Sequence, residues 1–330
     1  MPDNNLMLRN VFTNAVCAPL TSNASATCGW IRVTGEDRVR WLNGMATNSV
    51  QALQPGHGAY TFFLNAQGRI QGDANVWAAA DSLFLQTSSA QVGPLMTLLD
   101  KFIIMDDVEL ADESGDWFGV QVLGATAAAL LTGLSLSLPA EENECLVQQY
   151  ADAALKVIRQ PTVHVARFEL WSQSRQAIAR LQTAFLAANV TVLNDEFLNT
   201  LRILEGTPLF GTDIRDRDLP QETAQTRALH FNKGCYLGQE IVERIHSRGN
   251  VHRSFHAFLL TGEAPPAGSV LDAEGKAVGE LTSIATLPNG TIIALGYIRR
   301  EALEKCLPLT FAAGTAQPVA SPIPLRAIGL

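Results

Sequence analysis

Lys233-Gly234-Cys235-Tyr236-Leu237-Gly238-Gln239-Glu240 sets a thiol between a glycine and an aromatic ring, just after a lysine and ahead of a helix-like run, IVERIHSR. A free thiol of pKa near 8.5 is only about 3% thiolate at pH 7, and a nearby ammonium or helix N-terminus raises that fraction. Lys233 offers the ammonium and the following run offers the helix, so Cys235 and Lys233 form the candidate catalytic pair. Gly234 and Gly238 read as residues that permit a tight backbone. Tyr236 supports the motif, and Gln239 and Glu240 read as fixing the loop where the helix starts. The same letters also suit a plain packing role, with turn glycines around a small buried filler, since free cysteine is among the most buried residue types.

Upstream of this stretch, FLNTLRILEG reads as a helix and leads into an irregular acidic segment ending at Leu219-Pro220. Nearer the N-terminus, Trp30 to Val33 and Tyr60 to Leu64 read as strands, and Glu36 to Met45 as a helix entered from Thr34 and Gly35. Gln67-Gly68 reads as a hairpin turn, with Asp73 on the returning strand. A further helix is expected through Pro94 to Ile104, with Leu95, Leu98, Leu99 and Phe102 at helical spacing. From Trp117 the order is strand (FGVQVLG), helix (ATAAALLTGL), two strands (LKVIRQ, HVARFELW) and helix (QAIARLQTAFLAAN), which suits a split ferredoxin-like unit inserted in a larger fold. Beyond about residue 250, short apolar runs separated by Pro, Gly and Asn point to a small β-barrel or sandwich.

The chain has 330 residues, 47% hydrophobic and 17% charged, with a formal charge of −8. That length exceeds what a single hydrophobic core supports, and the low charge density argues against extended disorder. The acidic balance supplies no global field for phosphate backbones or anionic lipids, so neither nucleic acid nor membrane is an expected partner. His246, Arg248, His252, Arg253 and His256 form a short basic run that reads as a solvated loop. No secretory leader and no run of roughly 18 apolar residues is evident, which predicts a cytoplasmic location. Cys17, Cys28, Cys145, Cys235 and Cys306 are odd in number and never paired as CxxC, so neither a disulfide framework nor a metal site is expected.

The octapeptide resembles the KGCYxGQE signature of the YgfZ family, a branch of the glycine-cleavage T-protein (aminomethyltransferase) superfamily. LRILEGTPLFGTDIRDRDLPQE resembles the family's stretch upstream of it. WLNGMATNSV, YTFFLNAQGRI, ARFEL and GELTSIATLPNGTIIALGYIRR resemble further segments in the family's order, from about residue 30 to about residue 300. The resemblance implies an α+β fold of three parts around a central folate-binding opening. These are a folate-binding part from 1–115 plus about 195–245, a ferredoxin-like inserted domain over 116–194, and a C-terminal β-barrel domain over 246–330.

It also implies tetrahydrofolate as the cofactor, with Glu169 recognising the pterin ring, Arg202 helping the folate sit, and Asp73 and Tyr60 beside it. A carboxylate can accept two N–H donors from an aminopyrimidine edge. Further implications are iron-sulfur client proteins as partners, tRNA-modifying enzymes among them, and a monomeric state. Two departures stand out. The acidic pair of aminomethyl-transferring relatives reads Gly72-Asp73, and the late arginine has no counterpart in PLTFAAGTAQPVA. Both favour a folate-binding protein with an activated cysteine over its alternative, a folate-dependent one-carbon transferase in which Asp73 alone assists.

Overall fold

The computed structural model describes residues 4–20, 28–249 and 251–329. Helix α1 (Asn4–Thr13) and strand β1 (Ala15–Pro19) precede a first antiparallel sheet. Its members are β2 (Cys28–Thr34), β3 (Gly58–Leu64), β4 (Ile70–Ala78), β5 (Leu83–Ser88) and β6 (Glu109–Asp112), in the order β3-β4-β5-β2-β6. Helices α2 (Arg38–Met45) and α3 (Ser89–Asp100) close one face of it. Ile31, Val33 and Phe63 of the sheet meet Trp41, Leu42, Leu95 and Leu99 of the helices in a buried cluster.

Both helix starts differ from the expectation. Helix α2 begins at Arg38, and its N-cap residue Asp37 makes no side-chain capping bond, its carboxylate accepting instead from Asp107 N and from Arg40. Helix α3 starts at Ser89, carries Pro94 inside it and stops at Asp100, which leaves Phe102 outside. The Phe102 carbonyl there accepts from the Trp41 indole.

The second sheet takes β7 (Phe118–Gly124), β8 (Glu144–Tyr150), β9 (Ala153–Gln160), β10 (Arg167–Ser172) and β11 (Thr191–Val192), with α4 (Ala127–Gly133) and α5 (Arg175–Ala187) on one face. Its order is β11-β1-β7-β10-β9-β8. Strand β10 lies antiparallel between β7 and β9, as a split βαβ unit requires. Three strands, β1, β8 and β11, extend the expected unit. Edge strand β8, whose residues are half-exposed, adds beyond β9, and β1 wedges between β7 and β11. The N-terminal residues Ala15–Pro19 therefore belong to the inserted sheet and not to the first part of the chain.

Period-two alternation gives β10 two faces. Phe168 and Leu170 pack under the helices, while Trp171 turns to the first sheet. There Trp30, Trp77 and Phe84 meet Trp117, Ile158 and Trp171 in a seam between the two sheets. Truncating a fully buried tryptophan of this kind costs roughly 3–5 kcal/mol.

Helices α6 (Asp195–Leu204) and α7 (Gln239–Arg248) flank the long irregular segment. The remainder is a closed barrel of β12 (Arg253–Gly262), β13 (Ser269–Ala273), β14 (Lys276–Thr286), β15 (Ile292–Arg299), β16 (Leu309–Phe311) and β17 (Gly314–Val319), with α8 (Arg300–Glu304) between β15 and β16. Helix α6 packs on it through Phe197, Ile203 and Leu204 against Phe255, Leu295 and Tyr297. No helix among the described residues is long and apolar enough to cross a membrane.

Candidate functional site

A cavity of about 580 Å³ opens between the first two sheets and α6. Its walls include Tyr60, Asp73, Gln86 and Gln91 from the first sheet and α3, Gln121, Gln160, Arg167 and Glu169 from the second, and Arg202 with Arg227 beyond them. The four residues expected to hold a ligand, Tyr60, Asp73, Glu169 and Arg202, thus share one space although they are scattered through the chain. Barrel residues do not line it. The barrel acts from behind, where Thr282 and Ser283 donate to Asp213.

Glu169 is 3% exposed. Its Oε2 accepts from Gln86 Nε2 at 2.6 Å and from Trp171 Nε1 at 3.0 Å, and its Oε1 from Arg167 at 3.0 Å. A carboxylate offers about four lone-pair sites. Three are filled, so one site on Oε1 is open, where the sequence reading expects two. Arg202 departs further from expectation. Its five N–H groups go to Asn199 Oδ1, Thr207 O, Asp213 and Ser283 Oγ, including a 2.6 Å contact to the fully buried Asp213 carboxylate. With every donor engaged, Arg202 braces α6 against the loop after it and against the barrel, and shapes the cavity wall.

Asp73 accepts the Tyr60 hydroxyl at 2.6 Å and Gln91 Nε2 at 2.8 Å. Burial pushes its carboxyl upward. Tyr60 is held well above its usual range by burial and by Asp73 beside it, so it stays protonated as the donor. Arg227 stacks over the Tyr60 ring at 4.8 Å and stands exposed at the cavity mouth.

Cys235 and Lys233 lie elsewhere. The Lys233 ammonium donates to the carbonyls of Asn43, Ala46 and Asn48 at 2.7, 2.6 and 2.7 Å. These carbonyls belong to the last turn of α2 and the residues beyond it, and Leu237 N adds a bond to Gly44 O. The loop therefore caps a helix C-terminus, where orphan carbonyls and the negative dipole end favour a cation. Burial pushes Lys233 down to about 8. Its three protons are committed to carbonyls, which leaves none for the thiol and corrects the pairing read from sequence.

The other motif residues divide. Tyr236 is buried with Phe62, Ile70 and Val242, and its N–H donates to Gln239 Oε1 at 3.2 Å, as expected for a residue that fixes the loop. Gly238 has φ +80°, and a Cβ there would sit 2.6 Å from Asn65 O in the β3–β4 hairpin. Gly234 has neither a positive φ nor a neighbour within 4 Å, so the tight backbone needs only Gly238. Glu240 is exposed and pairs with Arg244 on its own helix, not with the loop. Cys235 ends up exposed between two anchors, the α2 terminus and the hairpin. The basic run downstream is divided between α7 and β12, and two of its members are engaged within the fold: His246 stacks on Phe231 at 3.7 Å, and Arg253 pairs with Asp218 and Glu222.

Several cavity residues were not singled out from the sequence. Gln121 interrupts the otherwise apolar strand FGVQVLG, a signal that could have found it, whereas Gln86 is followed by Thr87 and Ser88 in LFLQTS and stands out less.

The family model described as the GCVT N-terminal domain matches residues 23–233. Among relatives, the tRNA-modifying protein YgfZ of Yersinia enterocolitica is 26% identical over 283 residues, covering 83% of both chains. A chloroplastic protein of Arabidopsis thaliana, whose name proposes a transferase, is 26% identical over 282 residues. The match takes in 83% of this chain but 64% of that relative's length. The crystal structure of glycine cleavage system aminomethyltransferase T from Bartonella henselae superposes with a TM-score of 0.84 at 19% identity, covering 96% of this chain and 88% of that one. The likeness to that structure establishes the shared fold.

Proposed function

The chain belongs to the family of the GCVT N-terminal domain, and from there we propose that it binds tetrahydrofolate in the cavity between its first two sheets and serves iron-sulfur client proteins through Cys235. The observation that carries this reading is the single cavity on which Tyr60, Asp73, Glu169 and Arg202 converge. Its volume falls within the roughly 300–1,000 Å³ of small-molecule sites.

The residues present fit such a ligand. Arg167 Nε and His164 Nε2 are buried without a partner in two residues that line the cavity. The side chains of Gln121 and Gln160, 4% and 8% exposed, make no hydrogen bond among the described residues. Buried polar groups left unpaired cost free energy, and a polar ligand relieves that cost. Glu169 would take an N–H of the heterocycle on its open Oε1 site. Asp73, pushed upward by burial, would hold or accept a proton beside Tyr60. When bound, the folate supplies a reduced pterin able to carry a one-carbon unit.

The thiol stands apart from the cavity but shares a strand with it. Tyr60 of β3 lines the cavity, while Phe62 of the same strand packs on Tyr236, the neighbour of Cys235. An exposed thiol on an anchored loop suits contact with a client protein, and the name of the Yersinia relatives points to enzymes of tRNA modification as clients. The test is Cys235→Ala. Unchanged thermal stability and folate affinity, with loss of iron-sulfur enzyme activity in cells lacking the native protein, is the expected result. An equal loss of folding, or full cellular function, would refute the role of the thiol.

A further inference from the structure

Three glutamines stand near the cavity's polar centre, and two are spent. Gln86 donates to Glu169 and accepts from Trp77 Nε1 at 2.9 Å. Gln91 donates to Asp73 and Ser88 and accepts from Asp73 N. Gln121 differs: it is 4% exposed and lines the cavity, and its carboxamide makes no hydrogen bond among the described residues. It also faces Glu169 directly across the β7–β10 ladder. Cross-strand partners of this kind carry their side chains on the same face, with Cβ atoms about 4.5–5.5 Å apart. Gln160, the other unpaired amide, faces Arg167 instead and so stands off from the carboxylate.

Glu169 has one acceptor site left, and the Gln121 carboxamide offers one acceptor and two donors. Side by side they present acceptor, acceptor, donor along one wall. The complementary edge is donor, donor, acceptor. A 2-amino-4-oxopyrimidine has that edge, in its exocyclic amine, its ring N3–H and its 4-carbonyl. A 2,4-diaminopyrimidine does not, because its N3 is an acceptor and its 4-substituent a donor. We infer that Gln121 is the residue that makes the cavity specific for a 4-oxo over a 4-amino pterin, an inference that rests on the folate reading above. Gln121 receives the N3–H on its carboxamide oxygen and donates to the 4-carbonyl, while Glu169 takes the 2-amino group.

The test is anaerobic calorimetric titration with tetrahydrofolate and with its 4-amino analogue, tetrahydroaminopterin, on the full chain and on Gln121→Met and Gln121→Asn. The wild-type protein is expected to favour the 4-oxo ligand by about tenfold or more, since a site left with unpaired buried groups rejects the mismatched ligand. In both variants the ratio should fall to within about threefold. Without ligand, Gln121→Met should melt close to wild type, because the Gln121 amide faces the cavity and has no protein hydrogen bond to lose. Should that variant fold poorly, Gln121→Asn keeps the amide but withdraws it by one methylene and reads the same ratio. An unchanged ratio in a folded variant overturns the inference while leaving the folate reading intact. Failure of the wild-type protein to bind either compound overturns both.

Discussion

Replacing Lys233 by Met removes three hydrogen bonds from an ammonium to the carbonyls of Asn43, Ala46 and Asn48. Bonds to a charged group contribute about 1.5–3 kcal/mol each, but Lys233 is only partly buried and water recovers some of that, so a local loss of about 2–4 kcal/mol is expected. A chain built of two sheets and a barrel has no single well-defined unfolding free energy, which makes hydrogen exchange the right assay. Amides over 41–48 and 233–240 should lose protection by about 30-fold or more, the equivalent of ~2 kcal/mol, while barrel amides stay as they were.

Alkylation of Cys235 separates the clamp from the alternative. The thiol is already exposed with the loop in place, so if Lys233 only clamps the loop, Lys233→Met should leave alkylation close to the wild-type rate. A lysine that stabilised the thiolate would, on removal, slow alkylation and leave exchange alone. Lys233→Arg should restore little, since a planar fork cannot aim three donors at converging carbonyls. Exchange within about threefold of wild type in Lys233→Met would refute the capping role.

Gly238→Ala should destabilise the α7 docking by about 2 kcal/mol or more, because φ is +80° and the new Cβ meets Asn65 O at 2.6 Å. Gly234→Ala should stay within about 1 kcal/mol, and thermal melting of the pair reads the contrast. Lys156 sits 3.7 Å from the Phe84 ring centre and 4.1 Å from that of Trp117 in the seam between sheets. Burial pushes it down from 10.5 to about 8, against the attraction of the rings for its charge. Between those values the unfolded chain holds the proton that the folded one has lost, so the contribution of Lys156 to stability rises with pH from about 8 towards 10.5. The Cys17 and Cys145 thiols, pushed up by burial to about 11, slope the other way, so the readout is the denaturant midpoint of wild type relative to Lys156→Met, which should move in favour of wild type as pH rises through that range; a relative shift in the opposite direction would contradict the depressed value.

Much of the fold was legible because the deciding signals were local. The Gln67-Gly68 hairpin and the short apolar runs after residue 250 became the elements expected, and so did the order from Trp117 apart from β8, which enters between α4 and β9. What stayed hidden depended on distant partners. Asp37 fails to cap α2 because Asp107, 70 residues on, claims its carboxylate. Strand β1 joins the second sheet through pairing with β7, a register that nothing in AVCAP declares.

The same limit applied to the site. Sequence pointed to Tyr60, Asp73, Glu169 and Arg202, and these do meet at one cavity, yet their roles turn on neighbours that only the folded chain supplies. Arg202 is saturated by Asn199, Thr207, Asp213 and Ser283, and Glu169 is three-quarters filled by Gln86, Trp171 and Arg167. Lys233 and Cys235 are near in sequence, but the lysine reaches for a helix end that lies about 190 positions earlier.

Anaerobic titration of the purified protein with tetrahydrofolate, beside a Glu169→Gln variant whose folding is verified by melting, tests the folate site most directly. Saturable one-to-one binding that weakens about tenfold or more in the variant, roughly 1.4 kcal/mol, is the result expected of a pterin seated on the open Oε1 site. Absence of binding in the wild-type protein, or equal affinity in the folded variant, would contradict it.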